Sequence, residues 1–123
     1  MDDHDLLAER RSQALVDARR QPRYKIEGDI TVSSRPCGLL KGSILDISES
    51  GIAAMLRLEV PLGELVELNF TLSSGPITIL ATVRQRSAFR YGFEFVNSES
   101  EHELIRRACR DLAVEQSVLL SPV

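Results

Sequence analysis

Apolar and polar residues alternate along most of the chain, from Tyr24 to Phe95. A period of two places every second side chain on the same face, which is typical of a half-buried strand. Turn-forming residues separate the alternating segments about every ten residues, a spacing typical of an antiparallel barrel or sandwich. Six strands are predicted in this way, over residues 24–32, 39–47, 52–58, 66–72, 77–83 and 91–95.

The periodicity becomes helical at both ends of the chain. Residues 5–18 are predicted to form a helix with a thin apolar face, which needs to dock on the domain or on another chain to persist. Docking on the domain is the more common arrangement for a short amphipathic helix. A second helix is predicted over residues 98–118, where Ser98 and Ser100 each begin a capping box. Its apolar stripe can cover one opening of a barrel and consists of Leu104, Ile105, Ala108 and Leu112.

These elements predict a mainly β protein, a six-stranded antiparallel β-barrel with an N-terminal helix and a C-terminal helix. A chain of 123 residues is expected to form one such domain. We divide it into a helical extension at residues 1–18, the barrel domain with its C-terminal helix at 19–118, and a tail at 119–123. Either helix could pair with a second copy, so the sequence is compatible with a monomer or a homodimer.

The charge of the chain disfavours binding to long nucleic acids. The net charge is −3, whereas proteins that grip nucleic acids through phosphates usually carry a basic face and a high pI. Aromatic residues, the stacking platforms of single-strand binders, make up only 5% of the chain. The cations are concentrated locally instead, because residues 19–25 carry four positive charges and no negative ones. Such a cluster on an acidic background fits a small anion better.

The remaining composition excludes several other classes. Cys37 and Cys109 form no disulfide framework and are expected to be reduced, mostly buried thiols. No apolar run reaches the length of a membrane span, and the acidic N-terminus is unlike a signal peptide, so the expected location is the cytoplasm. His4 and His102 are isolated, and neither is placed to activate Ser48. We therefore predict no metal, no cofactor, no membrane insertion and no enzymatic activity.

Two short motifs carry the candidate binding chemistry, and the first is an R-x-x-x-R pattern formed by Arg19 and Arg23. Residues 19–23, which also include Arg20 and Pro22, are called the arm below. A guanidinium is a permanently charged, planar set of donors that suits phosphate oxygens and the O6/N7 edge of guanine. Taken alone, a cluster of this kind is more often a solvated basic loop.

The second motif is D-x-S-x-x-G, formed by Asp46, Ser48 and Gly51. The Asp46 carboxylate can accept from the N–H donors on the other edge of guanine, and the Ser48 hydroxyl can donate or accept. Gly51 is expected to allow a positive φ and a close approach of the backbone to a ligand. Taken alone, this motif is more often an Asx-type turn between two strands.

The two motifs in this order, with one strand between them, resemble the PilZ family of bacterial cyclic di-GMP receptors. The resemblance extends from about Arg19 to Phe95 and includes the strand at residues 91–95. It implies a six-stranded barrel with a C-terminal helix, and cyclic di-GMP as the ligand. The site that it implies consists of Arg19, Arg20, Arg23, Asp46, Ser48 and Gly51.

The resemblance also implies a role for each of these residues. Arg19 and Arg23 grip the phosphates and one guanine edge, and Arg20 adds a stacking or phosphate contact. Asp46 and Ser48 hold the guanine from the strand side. The small Ala18, just before the arm, weakly disfavours a stacked pair of ligands but leaves the ligand stoichiometry open.

A receptor of this kind signals to a partner protein. The arm is expected to be mobile before the ligand binds, because its arginines repel one another and it has little apolar surface to bury. Binding then orders the arm and displaces the helix predicted at residues 5–18. The sequence does not identify the partner, which could act in motility, biofilm or polysaccharide control. Two alternatives remain: a PilZ-like interaction scaffold that binds no nucleotide, and a barrel that binds single-stranded nucleic acid.

Two further R-x-x-x-R pairs precede no D-x-S-x-x-G motif. Arg86 and Arg90 straddle a predicted strand break, and Arg106 and Arg110 place like charges one turn apart on the C-terminal helix. Both pairs are interpreted as solvated charges. Phe89, near the strand break, is interpreted as a single exposed aromatic rather than a binding patch.

Overall fold

A computed structural model of the protein describes residues 21–96 and 99–120, with side chains up to residue 117. These residues form the strands β1 (Tyr24–Lys25), β2 (Asp29–Ser34), β3 (Gly38–Ile47), β4 (Gly51–Leu56), β5 (Leu65–Leu72), β6 (Gly75–Ser87) and β7 (Arg90–Phe95), and the helix α1 (Glu99–Leu120). The helix predicted at residues 5–18, and Arg19 and Arg20 of the predicted site, lie outside the described residues.

Six of the strands close into an antiparallel barrel. Neighbouring strands follow the order β3-β2-β5-β6-β7-β4, and β4 pairs back onto β3 to complete the ring. Closure gives every strand of the ring two hydrogen-bonded neighbours, so the ring presents no open sheet edge. The predicted six-stranded antiparallel barrel is therefore confirmed.

The first predicted strand, at residues 24–32, is divided into two. Tyr24 pairs with Ile47 near the end of β3, whereas β2 pairs with the earlier part of the same strand. Residues 26–28 between them keep partial pairing, since the Ile44 amide donates to the Gly28 carbonyl at 2.8 Å. The apolar alternation continues through this break, which explains why the pattern alone predicts one strand.

The inward-facing side chains of the ring form one continuous core with the buried face of α1. Ile105, Ala108 and Cys109 of the helix are buried in this core, and Leu104 and Leu112 pack at its margin. The predicted apolar stripe is thus confirmed, with Cys109 as an additional member. The helix begins at Glu99 and runs to Leu120, two residues beyond the predicted end.

The helix is fixed to the barrel at both of its ends. The Ser74 hydroxyl donates to the Leu104 carbonyl at 2.8 Å, and the Gln116 side-chain amide donates to the Lys25 carbonyl of β1 at 2.9 Å. In the part of the chain that is described, no helix has an apolar stretch that could cross a membrane.

Candidate functional site

A β-bulge in β3 determines where the Asp46 carboxylate points. Ile44 pairs with Ala54 of β4, but Asp46 pairs with the next residue, Ala53, so Leu45 is an extra residue on β3. Regular alternation would turn Asp46 inward, like the buried Ile44. The bulge shifts the phase by one residue, which re-aims a side chain without ending the strand. As a result Ile47 is buried in the core, while Asp46 lies on the outer wall with its side chain 17% exposed.

The turn after β3 is built around the hydroxyl of Ser48, which is fully buried. Its Oγ accepts from the backbone amides of Ser50 and Gly51 at 3.3 and 3.2 Å. The Ser48 amide in turn donates to the Gly51 carbonyl at 2.9 Å. Ser48 therefore shapes the turn that follows Asp46, and its predicted contact with a guanine stays a prediction.

Gly51 is needed for a different reason from the one predicted. Its φ is not among the positive φ angles of the described residues, so the expected left-handed conformation is wrong. A Cβ at this position would instead lie 2.4 Å from the carbonyl oxygen of Phe93 on the neighbouring β7. The glycine allows a close approach between two strands, and its predicted contact with a ligand stays a prediction.

Residues 21–23 of the arm contact the barrel through two side chains. Nε and Nη2 of Arg23 lie 2.8 and 2.7 Å from Oδ1 of Asp46. The Ser50 hydroxyl donates to the side-chain amide oxygen of Gln21. The C-terminal end of the arm therefore has protein partners of its own, at the turn that the second motif forms.

Arg90 is a second arginine at the same carboxylate. Its Nη2 lies 3.3 Å from Oδ2 of Asp46, so the two carboxylate oxygens each face a different guanidinium. Arg90 is the first residue of β7 and pairs with Met55 of β4 and Ser87 of β6. Its interpretation as a solvated charge at a strand break is therefore incomplete, because its side chain reaches Asp46.

An open cleft of about 920 Å³ lies beside this cluster on the outer wall of the barrel. Ala53 and the facing Gly92 are a register pair of β4 and β7, and they provide a floor without large side chains. A flat floor next to charged groups can accept a planar ring. The cleft is lined by Gln21, Pro22, Arg23, Ala53, Leu62, Arg84, Gln85, Arg86, Ser87, Arg90 and Gly92.

Four of the lining residues are arginines, and none of the described lining residues is acidic. Arg84 pairs with Glu94 at 3.0 Å, and Arg86 lies 3.9 Å from Glu59. These pairs are exposed on both sides, so they hold their arginines only weakly. The cleft therefore presents several N–H donors and positive charge, which suits a planar anionic ligand.

The structure brings Arg23, Asp46, Ser48 and Gly51 to one place, where Arg23 lines the cleft and Asp46 contacts two of the lining arginines. Gln21 and Arg90 are members of this cluster that were not predicted from the sequence. The available signal for Arg90 was its membership of a second R-x-x-x-R pair. That signal could not be used, because the contact with Asp46 depends on which strand lies beside β4.

The fold and the site define a small closed β-barrel with an arginine-lined cleft on its outer wall. The chain matches the family model of the PilZ domain over residues 17–111. This match covers most of the chain, which therefore belongs to the PilZ domain family.

Solved structures share the fold at low sequence identity. The PilZ domain of YcgR from Escherichia coli with c-di-GMP is 16% identical, with a TM-score of 0.66 over 85% of this chain and 98% of that one. The MrkH–c-di-GMP complex of K. pneumonia is 20% identical, with a TM-score of 0.67 over 80% of this chain and 52% of MrkH. The PilZ domain of CeSA from a cellulose synthesizing bacterium is 14% identical, with a TM-score of 0.59 over 70% of this chain and 92% of that one. Among curated proteins, none matches this chain significantly.

Proposed function

We propose that this PilZ domain is a cytoplasmic receptor for cyclic di-GMP that signals to a partner protein. The observation that supports it best is the 2.7 Å contact between Arg23 and Asp46 at the edge of an arginine-lined cleft. A guanidinium and a carboxylate at one place can serve the acceptor and donor edges of a guanine, and further arginines can serve phosphates. Cyclic di-GMP offers two guanines and two phosphates. The function is recognition, and no chemical step is assigned to the site.

Each predicted residue has a part in this proposal. Arg19 and Arg23 bind the phosphates and a guanine edge, and Arg20 adds a stacking or phosphate contact. Asp46 accepts from the guanine N–H groups. Ser48 and Gly51 contribute by holding the turn that fixes Asp46, which is the part that their burial favours.

The solved structures give this proposal further support. The structures of the YcgR PilZ domain and of MrkH that share this fold contain c-di-GMP. In this chain the arm directly precedes β1, so ligand contacts with Arg19 and Arg20 would reposition the chain before it. That repositioning is the proposed output signal, an ordering of a segment by new charge-assisted bonds.

One observation favours a second candidate, a PilZ scaffold that works through protein contacts alone. Both oxygens of Asp46 already have an arginine partner within the protein. A guanine must therefore share or displace one of these partners, although each carboxylate oxygen has more than one acceptor direction. If sharing a partner costs too much binding free energy, the cluster only stabilises the fold and does not bind a ligand.

Calorimetry separates the two candidates. The whole chain is titrated with cyclic di-GMP, cyclic di-AMP and GMP, and Arg23→Ala and Arg35→Ala are titrated with cyclic di-GMP. We expect preferential binding of cyclic di-GMP and a loss of about ten- to a hundredfold in affinity for Arg23→Ala. Arg35→Ala, an exposed arginine on the β2–β3 turn, is expected to bind like the wild type.

Two results would contradict the receptor. Equal heats from all three ligands would exclude guanine recognition. The absence of heat, together with an unchanged melting temperature at high cyclic di-GMP, would favour the scaffold, because a ligand that binds only the native state must raise that temperature.

A further inference from the structure

Arg90 occupies a position that the two motifs do not account for. Its guanidinium lies 3.3 Å from Oδ2 of Asp46, on the opposite carboxylate oxygen from Arg23. The side chain is 58% exposed, so its other N–H groups remain open to the cleft that it lines.

Two arginines of β6 also line the cleft, and their acidic partners differ from that of Arg90 on β7. Arg84 pairs with Glu94 and Arg86 approaches Glu59, and the proposed function assigns no ligand contact to either acid. Among the described contacts, the acidic partner of Arg90 is Asp46, the carboxylate that the proposed function assigns to guanine. Arg90 is thus the cleft arginine whose charge is coupled to base recognition.

We infer that Arg90 is a further ligand-binding residue that acts with Asp46 as one donor–acceptor pair for guanine. This inference rests on the proposed function and adds a specificity determinant to it. Guanine presents its O6 acceptor directly beside its N1–H and N2–H donors. A carboxylate with a guanidinium beside it presents the complementary row, with acceptors for the two N–H groups and a donor for O6.

The same pair rejects adenine for two reasons. Adenine carries an amino group where guanine has O6, so a donor would face the Arg90 donor. It also has an unprotonated N1 where guanine has N1–H, so an acceptor would face the Asp46 carboxylate. Polar groups that are left facing like groups lose their hydrogen bonds and keep their desolvation cost, which is the usual source of strong discrimination.

The backbone makes Arg90 suited to this task. It stands on β7 between β4 and β6, with both neighbouring strands paired to it in register. Arg23, in contrast, belongs to the arm and precedes the first strand residue. A donor that must meet a base edge benefits from a rigid element, because sites on strands are held more precisely than sites on loops.

The test compares affinity and base preference in matched variants of the whole chain. Wild type, Arg90→Ala, Arg90→Lys and Arg84→Ala are titrated with cyclic di-GMP, and cyclic di-AMP is measured by competition. Arg84 is the control, because it lines the same cleft and its side chain has the same exposure of 58%. Melting temperatures of all variants identify any that are misfolded.

We expect Arg90→Ala to weaken cyclic di-GMP binding by about ten- to a hundredfold and to reduce the preference over cyclic di-AMP. Arg90→Lys keeps the charge without the planar fork, so it should recover affinity more than preference. Arg84→Ala removes a cleft cation but should leave the preference over cyclic di-AMP unchanged, because its acidic partner is Glu94 and not Asp46.

Three outcomes have distinct meanings. A wild type that binds no cyclic di-GMP refutes the proposed function itself. A wild type that binds, with Arg90→Ala equal to Arg84→Ala, overturns the inference about Arg90 alone. A folded Arg90→Ala that loses affinity for both ligands by the same factor also overturns it, because Arg90 would then be a general cation rather than a reader of guanine.

Discussion

The carboxylate of Asp46 lies 2.7 Å from the guanidinium of Arg23, although the two residues are 23 positions apart in the chain. The bulge in β3 turns Asp46 to the outer wall, and β1 pairs beside it so that the preceding Arg23 can reach it. Arg23 is 48% exposed, and a pair of this kind contributes at most about 1 kcal/mol to stability. The contact therefore matters mainly for how the two groups are placed.

Arg23→Ala should separate binding from stability. We expect the free energy of unfolding in urea to change by less than about 1 kcal/mol, because the lost ion pair is largely solvated. Affinity for cyclic di-GMP should fall by at least about tenfold in the same preparation, since charge-assisted bonds to the ligand are lost. A loss of stability well beyond this limit would show that the pair is a structural element first.

Ser48→Ala should destabilise the fold more than its single hydroxyl suggests. The buried Oγ accepts from two backbone amides, and their loss should cost about 1–3 kcal/mol in urea unfolding. Ser50→Ala is the matched control, because Ser50 is exposed and its hydroxyl bonds to Gln21. If Ser48→Ala instead keeps its stability and loses only ligand affinity, the hydroxyl contacts the ligand directly.

Gly51→Ala should be poorly tolerated, because the new Cβ would lie 2.4 Å from a backbone oxygen of β7 that cannot move alone. We expect a loss of about 1–3 kcal/mol or more in thermal or urea unfolding. Gly92→Ala is the comparison, since its Cβ would lie 3.3 Å from the Cβ of Gln85, a contact that a shift of a few tenths of an ångström relieves. Equal stability of the two variants would contradict the close approach of β4 and β7.

Cys109 should make stability depend on alkaline pH. Burial, and then the nearby Glu49 carboxylate, raise the pKa of the Cys109 thiol from 9.0 to about 11. The unfolded chain therefore loses this proton at a lower pH than the folded protein. The contribution of this group to the free energy of unfolding is fully present below pH 9 and is lost between pH 9 and about 11. The slope from this group is at most about 1.4 kcal/mol per pH unit.

Urea unfolding at several pH values tests this dependence against Cys109→Ala. The pKa of Tyr24 is raised in the same direction by burial, by Cys109 and by Glu49, so some alkaline loss should remain in the variant. We expect the decline to be shallower in Cys109→Ala than in the wild type. Parallel curves for the two proteins would contradict the raised pKa of Cys109.

Much of the barrel could be predicted because alternation reports which face of a strand is buried. The stripe on α1 was predictable for the same reason at a helical period. The bulge at Leu45 was not, because an extra residue is defined only by the pairing of β3 with β4. The contact of Arg90 with Asp46, which lie 44 positions apart, depends on β7 lying beside β4. Local motifs could therefore nominate Arg23 and Asp46, but not the third side chain of the cluster.

The short strand β1 connects two parts of the molecule that are distant in sequence. Lys25 pairs with Asp46 on one side, and its carbonyl accepts from Gln116 of α1 on the other. A displacement that begins at Arg23 has only two residues to cross before it meets the last turns of the helix. A fluorophore on the exposed Val114, near the opposite end of the chain, should therefore report displacements of the arm. Gln116→Ala removes the side-chain amide that contacts the Lys25 carbonyl, so it should abolish this fluorescence change.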